Sequence, residues 1–451
     1  MNIIVVGDGK VGRAIVSHIS KENHNIVVID KNPDNIQTVV NQFDVLGVVG
    51  NGVSYDILKE ASVHTADLFI AATSSDEINL LACAIAKTLG ASDTIARVRD
   101  PEYLNQVAFM RRELGVTMTI NPEYSTAHEI LNMIQIPAAL KIETFANGRA
   151  EMMEIYVEDK SPLAGINLIQ LRQKYPLPFL VCAVQRGEEV FIPGGDFVIQ
   201  ANDKIHISSS RKNLTQLFKE LGIFKRRLNN IMIIGGGKIG YYLCELLLQN
   251  NYNVKIIEKD QKRCEELSDF FPRAVIIHAD GTDQDVLNQE GLKEADAIVA
   301  LANIDEENIV VSMYAQKQGV KKVIAKVNHS GLLQIIESVD VASTISPKDV
   351  VADEILSYVR AKSNIHGNNV KTLYKLVNGQ VEAIEFEVCE MPQKLDLPLK
   401  DLTLKDNILI AAIIRNNEVI IPGGNDQIKL DDRVVVVSSQ YYFDDLSEIV
   451  K

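Results

Sequence analysis

The sequence predicts an α/β protein in which two Rossmann-like domains with parallel sheets are each followed by a small α+β domain. Apolar runs of strand length alternate with helical segments, which is typical of a parallel sheet flanked by helices. A glycine-rich turn follows such a run twice, at Gly7 and at Gly235, and the offset is 235 − 7 = 228 residues. Self-similarity at a fixed offset indicates an internal duplication.

The first element is a strand, glycine turn, helix and strand that ends at an acid. An apolar run ends at Val6, and a second run ends at Asp30, 18 residues beyond Gly12. In a dinucleotide-binding unit the glycines allow a tight turn, close approach to a pyrophosphate and close helix packing, while the acid accepts hydrogen bonds from ribose hydroxyls. A purely structural glycine turn is the alternative. The loop itself comprises Gly7, Asp8, Gly9, Lys10, Val11 and Gly12.

The second half repeats this pattern. Glu258 closes the following apolar run at the same offset, 258 − 30 = 228. The corresponding second glycine loop is predicted to comprise Gly235, Gly236, Gly237, Lys238, Ile239 and Gly240.

Polar and glycine residues follow further predicted strands in both halves. The carboxyl ends of parallel strands form the ligand crevice of such a sheet, so these residues are expected to border an adenosine. Asn51-Gly52 is alternatively an ordinary turn, and Thr73-Ser74 is alternatively a helix N-cap with Asp76 in the first helical turn. The predicted crevice residues are Asn51, Gly52, Thr73, Ser74, Asp280, Gly281, Ala302 and Asn303.

Two arginines follow the next helix of the first half. Strand alternation places Arg97 and Arg99 on one face, where two guanidinium groups can clamp a triphosphate. Ion pairs with acidic neighbours are the alternative. The second half has Lys326 at the first of these positions and has lost the arginine pair, so the first site is expected to suit the more highly charged phosphates.

The smaller domains carry a second repeated signature, the Ile-Pro-Gly-Gly turns at Gly194-Gly195 and Gly423-Gly424. Shorter strands separated by proline and glycine turns predict an α+β fold there. The basic connector Lys225-Arg226-Arg227 is a solvated linker or a contact for an acidic partner or lipid headgroups. The predicted domain boundaries are 1–138, 139–222, 229–363 and 368–451.

Composition excludes several classes of function. The net charge of −14 argues against a nucleic-acid partner, because phosphate neutralisation needs a basic surface. The five cysteines form no CxxC pair, which suits a reducing compartment, and no apolar run reaches the ~18 residues of a membrane span. The histidines form no HExxH or Cys/His cluster, so no metal site and no catalytic residue is expected.

The motifs GDGKVG and GGGKIG, the segments ADLFIAATSSDEIN and ADAIVALANIDEEN, RVRDPEY from Arg97 and both IPGG turns together resemble the TrkA family of RCK proteins over essentially the full chain. The resemblance implies the order RCK-N, RCK-C, RCK-N, RCK-C. It also implies a cytosolic regulatory subunit, a ring-like homotetramer on the cytoplasmic face of a membrane potassium-channel subunit of the Trk type. Binding of NAD(H) and of ATP or ADP is expected to control channel opening.

By the same resemblance, the family's phosphate loop falls on the two glycine loops, its ribose acids on Asp30 and Glu258, and its phosphate-reading arginines on Arg97 and Arg99. Lys10 and Lys238 occupy a position from which related subunits reach a neighbour's nucleotide. Asp8 departs from the pattern: it points to solvent, or it adds a negative charge that Lys10 and the arginines must offset.

An NAD-dependent oxidoreductase built on duplicated Rossmann domains is the alternative function. It would need a proton-relay group and a substrate domain, neither of which the sequence indicates.

Overall fold

The computed structural model describes residues 1–451 except 105, 137–138, 147, 224–227, 330–331, 333–342, 364–369, 378–379, 440–442 and 444. The basic connector Lys225-Arg226-Arg227 and the predicted domain limits at 138 and 368 lie outside the described residues. The chain forms two compact units, of which the first comprises Met1–Leu131 with Leu228–Leu356 and the second Asn132–Arg227 with Ser357–Lys451. Two of the three divisions between the units fall inside helices, at Pro122–Gln135 and Pro347–Ser363.

The first repeat of the first unit is a six-stranded parallel sheet with flanking helices. Its elements are β1 (Asn2–Val6), α1 (Lys10–Ile19), β2 (Asn25–Asp30), α2 (Pro33–Gln42), β3 (Leu46–Val49), α3 (Tyr55–Glu60), β4 (Leu68–Ala71), α4 (Asp76–Leu89), β5 (Asp93–Arg97), α5 (Pro101–Leu104), α6 (Val107–Glu113), β6 (Met118–Ile120) and α7 (Pro122–Gln135). The strand order is β3-β2-β1-β4-β5-β6. Strand β1 is apolar from Ile3 to Val6 because helices cover both faces of a parallel sheet. The order reverses next to β1, where such sheets bind ligands.

The second repeat has the same architecture. Its elements are β12 (Asn230–Ile234), α10 (Lys238–Gln249), β13 (Asn253–Glu258), α11 (Gln261–Phe270), β14 (Val275–His278), α12 (Gln284–Gln289), β15 (Ala297–Ala300), α13 (Asp305–Lys317), β16 (Lys322–Lys326), β17 (Ser343–Ile345) and α14 (Pro347–Ser363). The strand order is β14-β13-β12-β15-β16-β17. The two repeats contact each other within the unit, for example where Ser125 Oγ of α7 donates to Glu354 Oε2 of α14 at 3.1 Å.

The second unit contains two five-stranded antiparallel sheets. Their elements are β7 (Ala139–Phe145), β8 (Ala150–Tyr156), α8 (Leu168–Lys174), β9 (Leu180–Arg186), β10 (Glu189–Phe191), β11 (Lys204–Ser210), α9 (Arg211–Glu220), β18 (Val370–Leu376), β19 (Val381–Glu387), β20 (Ile408–Arg415), β21 (Glu418–Ile420) and β22 (Arg433–Ser438). The strand orders are β10-β9-β11-β8-β7 and β18-β19-β22-β20-β21.

One apolar cluster joins the two sheets of the second unit. It includes Phe145 and Cys182 of the first sheet with Ala383 and Val435 of the second. Tyr374 donates to the carbonyl oxygen of Thr144 across the same contact at 2.9 Å. The two smaller domains therefore share a core.

The predicted fold class is confirmed by the parallel sheets of the first unit and the antiparallel sheets of the second. Among the described residues, no helix is both long enough and apolar enough to cross a membrane.

Candidate functional site

The glycine loop of the first repeat turns from β1 into α1 with no space to spare. Gly7 has φ +95°, and a Cβ on Gly12 would lie 1.8 Å from the carbonyl oxygen of Gly7. Gly9 is different, because a Cβ there would meet no atom within 4 Å. The loop therefore needs two of its glycines for its own packing, while Gly9 faces open space where a ligand can approach the backbone.

The second loop repeats this division. Gly235 has φ +103°, a Cβ on Gly240 would lie 2.4 Å from the carbonyl oxygen of Gly235, and Gly237 faces open space. Both loops thus have the geometry in which backbone amides at a helix start are available to an anion.

The acid at the tip of the second strand holds the loop in each repeat. Asp30 Oδ2 accepts the amide of Asp8 at 2.7 Å, and Asp30 Oδ1 accepts the amide of Asn32 at 2.8 Å. Glu258 Oε2 accepts the amide of Gly236 at 2.6 Å. Asp30 Oδ1 also accepts from Asn35 Nδ2 at 3.3 Å, and Glu258 Oε1 accepts the amide of Asp260 at 2.9 Å. A carboxylate has about four acceptor positions, so Asp30 retains about one and Glu258 about two for a ribose hydroxyl.

A cavity of about 680 Å³ opens beside the first loop, which is within the range of small-molecule sites. The structure brings ten of the residues predicted for the first site to this cavity: Gly7, Gly9, Lys10, Val11, Asp30, Asn51, Gly52, Thr73, Ser74 and Arg97.

The second repeat forms another wall of the same cavity, which sequence reasoning missed. The residues that it contributes are Ile239, Lys326, Asn328, Pro347 and Lys348. The sequence places Ile239 in the second repeat's own glycine loop and Lys326 at the second repeat's counterpart of Arg97. The only sequence signal is their equivalence by repeat offset to Val11 and Arg97, since 239 − 11 = 228 and 326 − 97 = 229.

Positive charge converges on this cavity from both repeats. Lys10 and Arg97 come from the first repeat, and Lys326 and Lys348 come from the second. Burial lowers the pKa of Arg97 and of Lys326, so an anionic ligand would relieve a real desolvation cost. The helices α1, α7 and α14 also begin at the cavity, which adds their positive dipole ends.

Glu123 lies among these cations and forms an ion pair with Arg97 at 3.5 Å. The pair is incompletely satisfied, because Arg97 Nε and Glu123 Oε2 are buried and have no hydrogen-bond partner among the described residues. Buried polar atoms of this kind normally have a partner, so these two indicate a place for a polar ligand.

Arg99 is placed differently from the expected clamp. Strand β5 ends at Arg97, so the strand alternation does not extend to residue 99. Arg99 Nε lies 3.4 Å from Asp76 Oδ1, another guanidinium nitrogen donates to the carbonyl oxygen of Ser74, and Arg99 is not among the residues that line the cavity. The ion-pair alternative thus describes Arg99, whereas Arg97 has both an ion pair and a place at the cavity.

Asp8 does not point to solvent, so that alternative is wrong. Its side chain is fully buried and forms an ion pair with Arg13. Burial raises the pKa of the Asp8 carboxyl, although Arg13 opposes this effect. Asp8 and Gly12 are not among the residues that line the cavity.

The segment that follows β4 is fixed by side-chain hydrogen bonds. Thr73 Oγ1 donates to Asn79 Oδ1 at 2.7 Å, and the N-cap of α4 is Ser75, whose hydroxyl accepts the amide of Ile78 at 3.3 Å. The alternative that Thr73-Ser74 caps the helix is therefore wrong by one residue, and both residues line the cavity, as predicted for the crevice.

The remaining residues predicted for the second site stay within the second repeat. Asp280 accepts from the Thr282 hydroxyl at 2.7 Å, and this hydrogen bond lowers the pKa of Asp280. Gly281 is required by packing, since a Cβ there would lie 2.4 Å from Ile234 Cγ2. The amide of Ala302 is taken by Asn308, while Lys238 and Asn303 are exposed.

The chemistry of this cavity fits the ribose and phosphate groups of a nucleotide. Asp30 is available to ribose hydroxyls, Gly9 leaves room for a diphosphate, and Arg97 offers an unpartnered buried nitrogen.

Family comparisons agree with the repeat. The model of the TrkA-N domain matches residues 3–122 and 231–347, and the model of the TrkA-C domain matches residues 152–222 and 385–451. The chain is 32% identical over 446 residues to Trk system potassium uptake protein TrkA homolog 1 of Methanosarcina mazei, covering 97% of each chain. It is 31% identical over 452 residues to the TrkA homolog of Archaeoglobus fulgidus, covering 100% of each.

Solved structures with the same fold include RCK proteins. The chain superimposes on the GsuK RCK domain with a TM-score of 0.62 at 18% identity, covering 97% of this chain and 92% of that one. For the GsuK channel bound to NAD the TM-score is 0.63 at 18% identity, and the match covers 97% of this chain and 77% of that one. For GsuK bound to ADP the TM-score is 0.51 at 15% identity, and the match covers 81% of this chain and 69% of that one. The chain therefore belongs to the TrkA family, with one TrkA-N and one TrkA-C domain in each half.

Proposed function

We propose that this chain is a nucleotide-sensing regulatory subunit that controls a membrane potassium-uptake channel of the Trk type. The observation that carries the proposal is the cavity beside the first glycine loop, whose walls come from both Rossmann-like repeats. Full-length similarity to proteins named for Trk potassium uptake supports the channel as the target.

The ligands that we propose for the cavity are NAD(H) and ATP or ADP. Asp30 suits the ribose that these molecules share, and the Gly9 backbone suits a diphosphate. The cations Lys10, Arg97 and Lys326 favour the more charged member of the set. GsuK, whose RCK fold this chain shares, is described in NAD-bound and ADP-bound structures.

The proposed mechanism is a shift between two arrangements of the repeats. A ligand in this cavity contacts the first repeat at Gly9 and the second at Lys326, so its binding free energy depends on how the repeats are placed. A ligand shifts such an equilibrium only by its difference in affinity for the two arrangements. Two nucleotides of different charge at one cavity can therefore favour different arrangements.

The proposed assembly is a ring-like homotetramer at the cytoplasmic face of the membrane, held there by the channel subunit. Equivalent helices α4 and α13 support self-association, because both present exposed apolar side chains. Leu81 is 49% exposed and its counterpart Val310 is 59% exposed, with 310 − 81 = 229. Matching apolar surface on both repeats suits a second copy of the chain.

The binding test is calorimetric titration of the full chain with NADH, NAD, ATP and ADP. Potassium flux is then measured in vesicles that hold a Trk-type channel subunit, with and without the chain and each nucleotide. We expect saturable nucleotide binding and a potassium flux that depends on both the chain and the nucleotide. Absence of binding by all four nucleotides, or a flux indifferent to the chain, would overturn the proposal. So would steady oxidation of NADH with a small carbonyl substrate, which the oxidoreductase alternative requires.

The assembly test is the mass of the chain in solution by light scattering. Leu81→Glu with Val310→Glu is expected to lower the mass from that of a tetramer, because the carboxylates would be buried in the contacts. Tyr55→Glu, at another exposed position in the first repeat, is the control and should leave the mass unchanged. A monomeric wild-type chain at the concentrations used in the flux assay would refute the tetramer.

A further inference from the structure

Asp8 places a carboxylate in the glycine loop, where the proposed ligand would bring its phosphates. Arg13 forms an ion pair with this carboxylate. Arg13 Nε lies 3.2 Å from Asp8 Oδ2 and 3.4 Å from Asp8 Oδ1, and a second nitrogen of the guanidinium donates to the same carboxylate. The Asp8 side chain is fully buried, while that of Arg13 is 35% exposed. The carboxylate is thus turned inward, towards the first turns of α1, and is absent from the cavity wall.

A second carboxylate makes this arrangement necessary. Asp30 accepts the Asp8 amide at 2.7 Å, and the charge of Asp30 adds to burial in raising the pKa of Asp8. The charged groups that face the Asp8 carboxylate are therefore Arg13 of α1 and Asp30 at the end of β2. Without Arg13, two like charges would adjoin the phosphate path at the start of α1.

The second glycine loop has no side-chain carboxylate at the position of Asp8. Gly236 occupies the position of Asp8, and Tyr241 occupies that of Arg13, since 241 − 13 = 228. A guanidinium still contacts the loop, but it comes from α11. Arg263 Nε donates to the carbonyl oxygen of Gly236 at 2.7 Å, and Arg263 Cζ lies 5.8 Å from the centroid of the Tyr241 ring. Glu258 accepts the Gly236 amide just as Asp30 accepts the Asp8 amide, so the acid at the end of the second strand has the same role in both repeats.

We propose that Arg13 is a positioning residue of the first nucleotide site, which neutralises Asp8 and holds its carboxylate out of the phosphate path. The inference rests on the proposed nucleotide binding and deepens it. Arg13 acts through Asp8 and Asp30 and does not line the cavity itself. The loop amides at Gly9 and Lys10 then meet phosphate without a competing charge from the same turn.

The experiment uses the full chain and NADH titration calorimetry on four proteins: wild type, Arg13→Gln, Asp8→Asn with Arg13→Gln, and Arg186→Gln. We expect Arg13→Gln to weaken the first site by about tenfold or more, the effect of one uncompensated charge worth about 1.4 kcal/mol. The double variant removes that charge and should return the affinity to within about threefold of wild type.

Arg186→Gln is the matched control. Arg186 pairs with Asp203 in the second unit with nearly the same exposure, 30% for the arginine and 0% for the aspartate. Its loss is expected to lower the melting temperature and to leave NADH affinity unchanged. This control separates the cost of breaking a buried ion pair from an effect on the nucleotide site.

A pH series supplies the readout that a purely structural Arg13 would not move. Burial and the charge of Asp30 raise the pKa of the Asp8 carboxyl, and Arg13→Gln removes the group that opposes this shift. Acid therefore protonates Asp8 in Arg13→Gln and removes the uncompensated charge, so NADH affinity should rise relative to the double variant as the pH is lowered from 8 into the range where Asp8 takes up its proton. Parallel pH profiles for the two variants, a loss that Asp8→Asn does not rescue, or wild-type affinity in Arg13→Gln would each overturn the inference. A wild-type chain that binds no nucleotide would instead overturn the proposed function.

Discussion

The hydroxyl of Tyr242, in the second repeat, donates a hydrogen bond of 2.7 Å to the carbonyl oxygen of Arg99, in the first. Asn121 Nδ2 donates to the same hydroxyl at 3.2 Å, and Tyr242 is only 2% exposed. Burial raises the pKa of this phenol to about 12, so it remains a neutral donor across the physiological range. Tyr242 lies on α10, the helix that begins at the second glycine loop, and Ile239 of the same helix reaches the first cavity.

Tyr242→Phe is therefore expected to destabilise the contact between the repeats by about 1 kcal/mol, the typical net worth of such a hydrogen bond. Urea unfolding of the full chain measures the change. Tyr314→Phe is the control, because that hydroxyl bonds to Asn288 within the second repeat at an exposed site. Equal midpoints for the two variants would contradict the role given to Tyr242.

Lys326→Gln should weaken nucleotide binding at the first glycine loop although the lysine belongs to the second repeat. Lys326 lines the cavity and is 8% exposed, so its charge is poorly screened there. We expect about a tenfold loss for ATP and a smaller loss for NADH, since charged hydrogen bonds contribute about 1.5–3 kcal/mol. Titration with both ligands at two salt concentrations measures this.

The control for this prediction is Lys321→Gln. Lys321 is 54% exposed and pairs with Asp296 on the surface, five residues earlier in the same strand region. It should leave both affinities within about twofold, because exposed ion pairs contribute little. A larger loss for NADH than for ATP in Lys326→Gln would argue against a phosphate contact.

Two glycines of one loop should fail in different ways. Gly12→Ala places a Cβ against the carbonyl oxygen of Gly7, so we expect a loss of about 1–3 kcal/mol in stability from overpacking. Gly9→Ala meets no protein atom and has an extended backbone, so stability should hold while nucleotide affinity falls. Denaturation and calorimetry on both variants separate these outcomes. Undiminished affinity in Gly9→Ala would show that ligand does not approach this backbone.

Lys322 should destabilise the folded chain at neutral pH. It is 6% exposed, and burial lowers its pKa to about 8 from 10.5. The folded state then binds fewer protons than the unfolded state between these values, so the contribution of this group becomes more favourable as pH rises from 8 to 10.5. Lys322→Met is expected to stabilise the chain by about 1–3 kcal/mol at pH 7.

Chemical denaturation at pH 7, 8.5 and 10 measures this effect. The gain from Lys322→Met should shrink as pH rises, because the folded wild-type lysine loses its proton above about pH 8 and no longer carries a buried charge, while the unfolded lysine stays charged up to about 10.5. Lys321→Met, at the exposed neighbouring position, should show neither the gain nor the trend. A gain that is constant with pH would mean that packing, not desolvation of the ammonium group, is responsible.

The sequence predicted the fold class because duplicated local patterns specify it: glycine turns after apolar runs give each Rossmann-like repeat its first strand and helix. The same local logic placed Gly9, Asp30, Thr73 and Arg97 at one edge of the sheet, and the structure gathers them at one cavity. Whether these residues bind nucleotide stays a prediction.

Features that depend on distant contacts were beyond local patterns. Lys326 and Lys348 reach the first cavity through packing between segments more than 200 residues apart, which spacing does not encode. Arg99 followed Asp76 instead of the cavity because β5 stops at Arg97. The burial of Asp8 depends on its ion pair with Arg13, about one helical turn later, which the spacing of the loop does not predict.

A cavity with walls from both repeats has a consequence for how the two copies can change over time. Here Lys326 and Lys348 belong to one copy and line the pocket beside the glycine loop of the other, so a substitution at either position alters the pocket of the first copy. Cutting the chain at its basic connector would for the same reason yield a first half with an incomplete pocket. Neither half alone therefore contains the whole of this site.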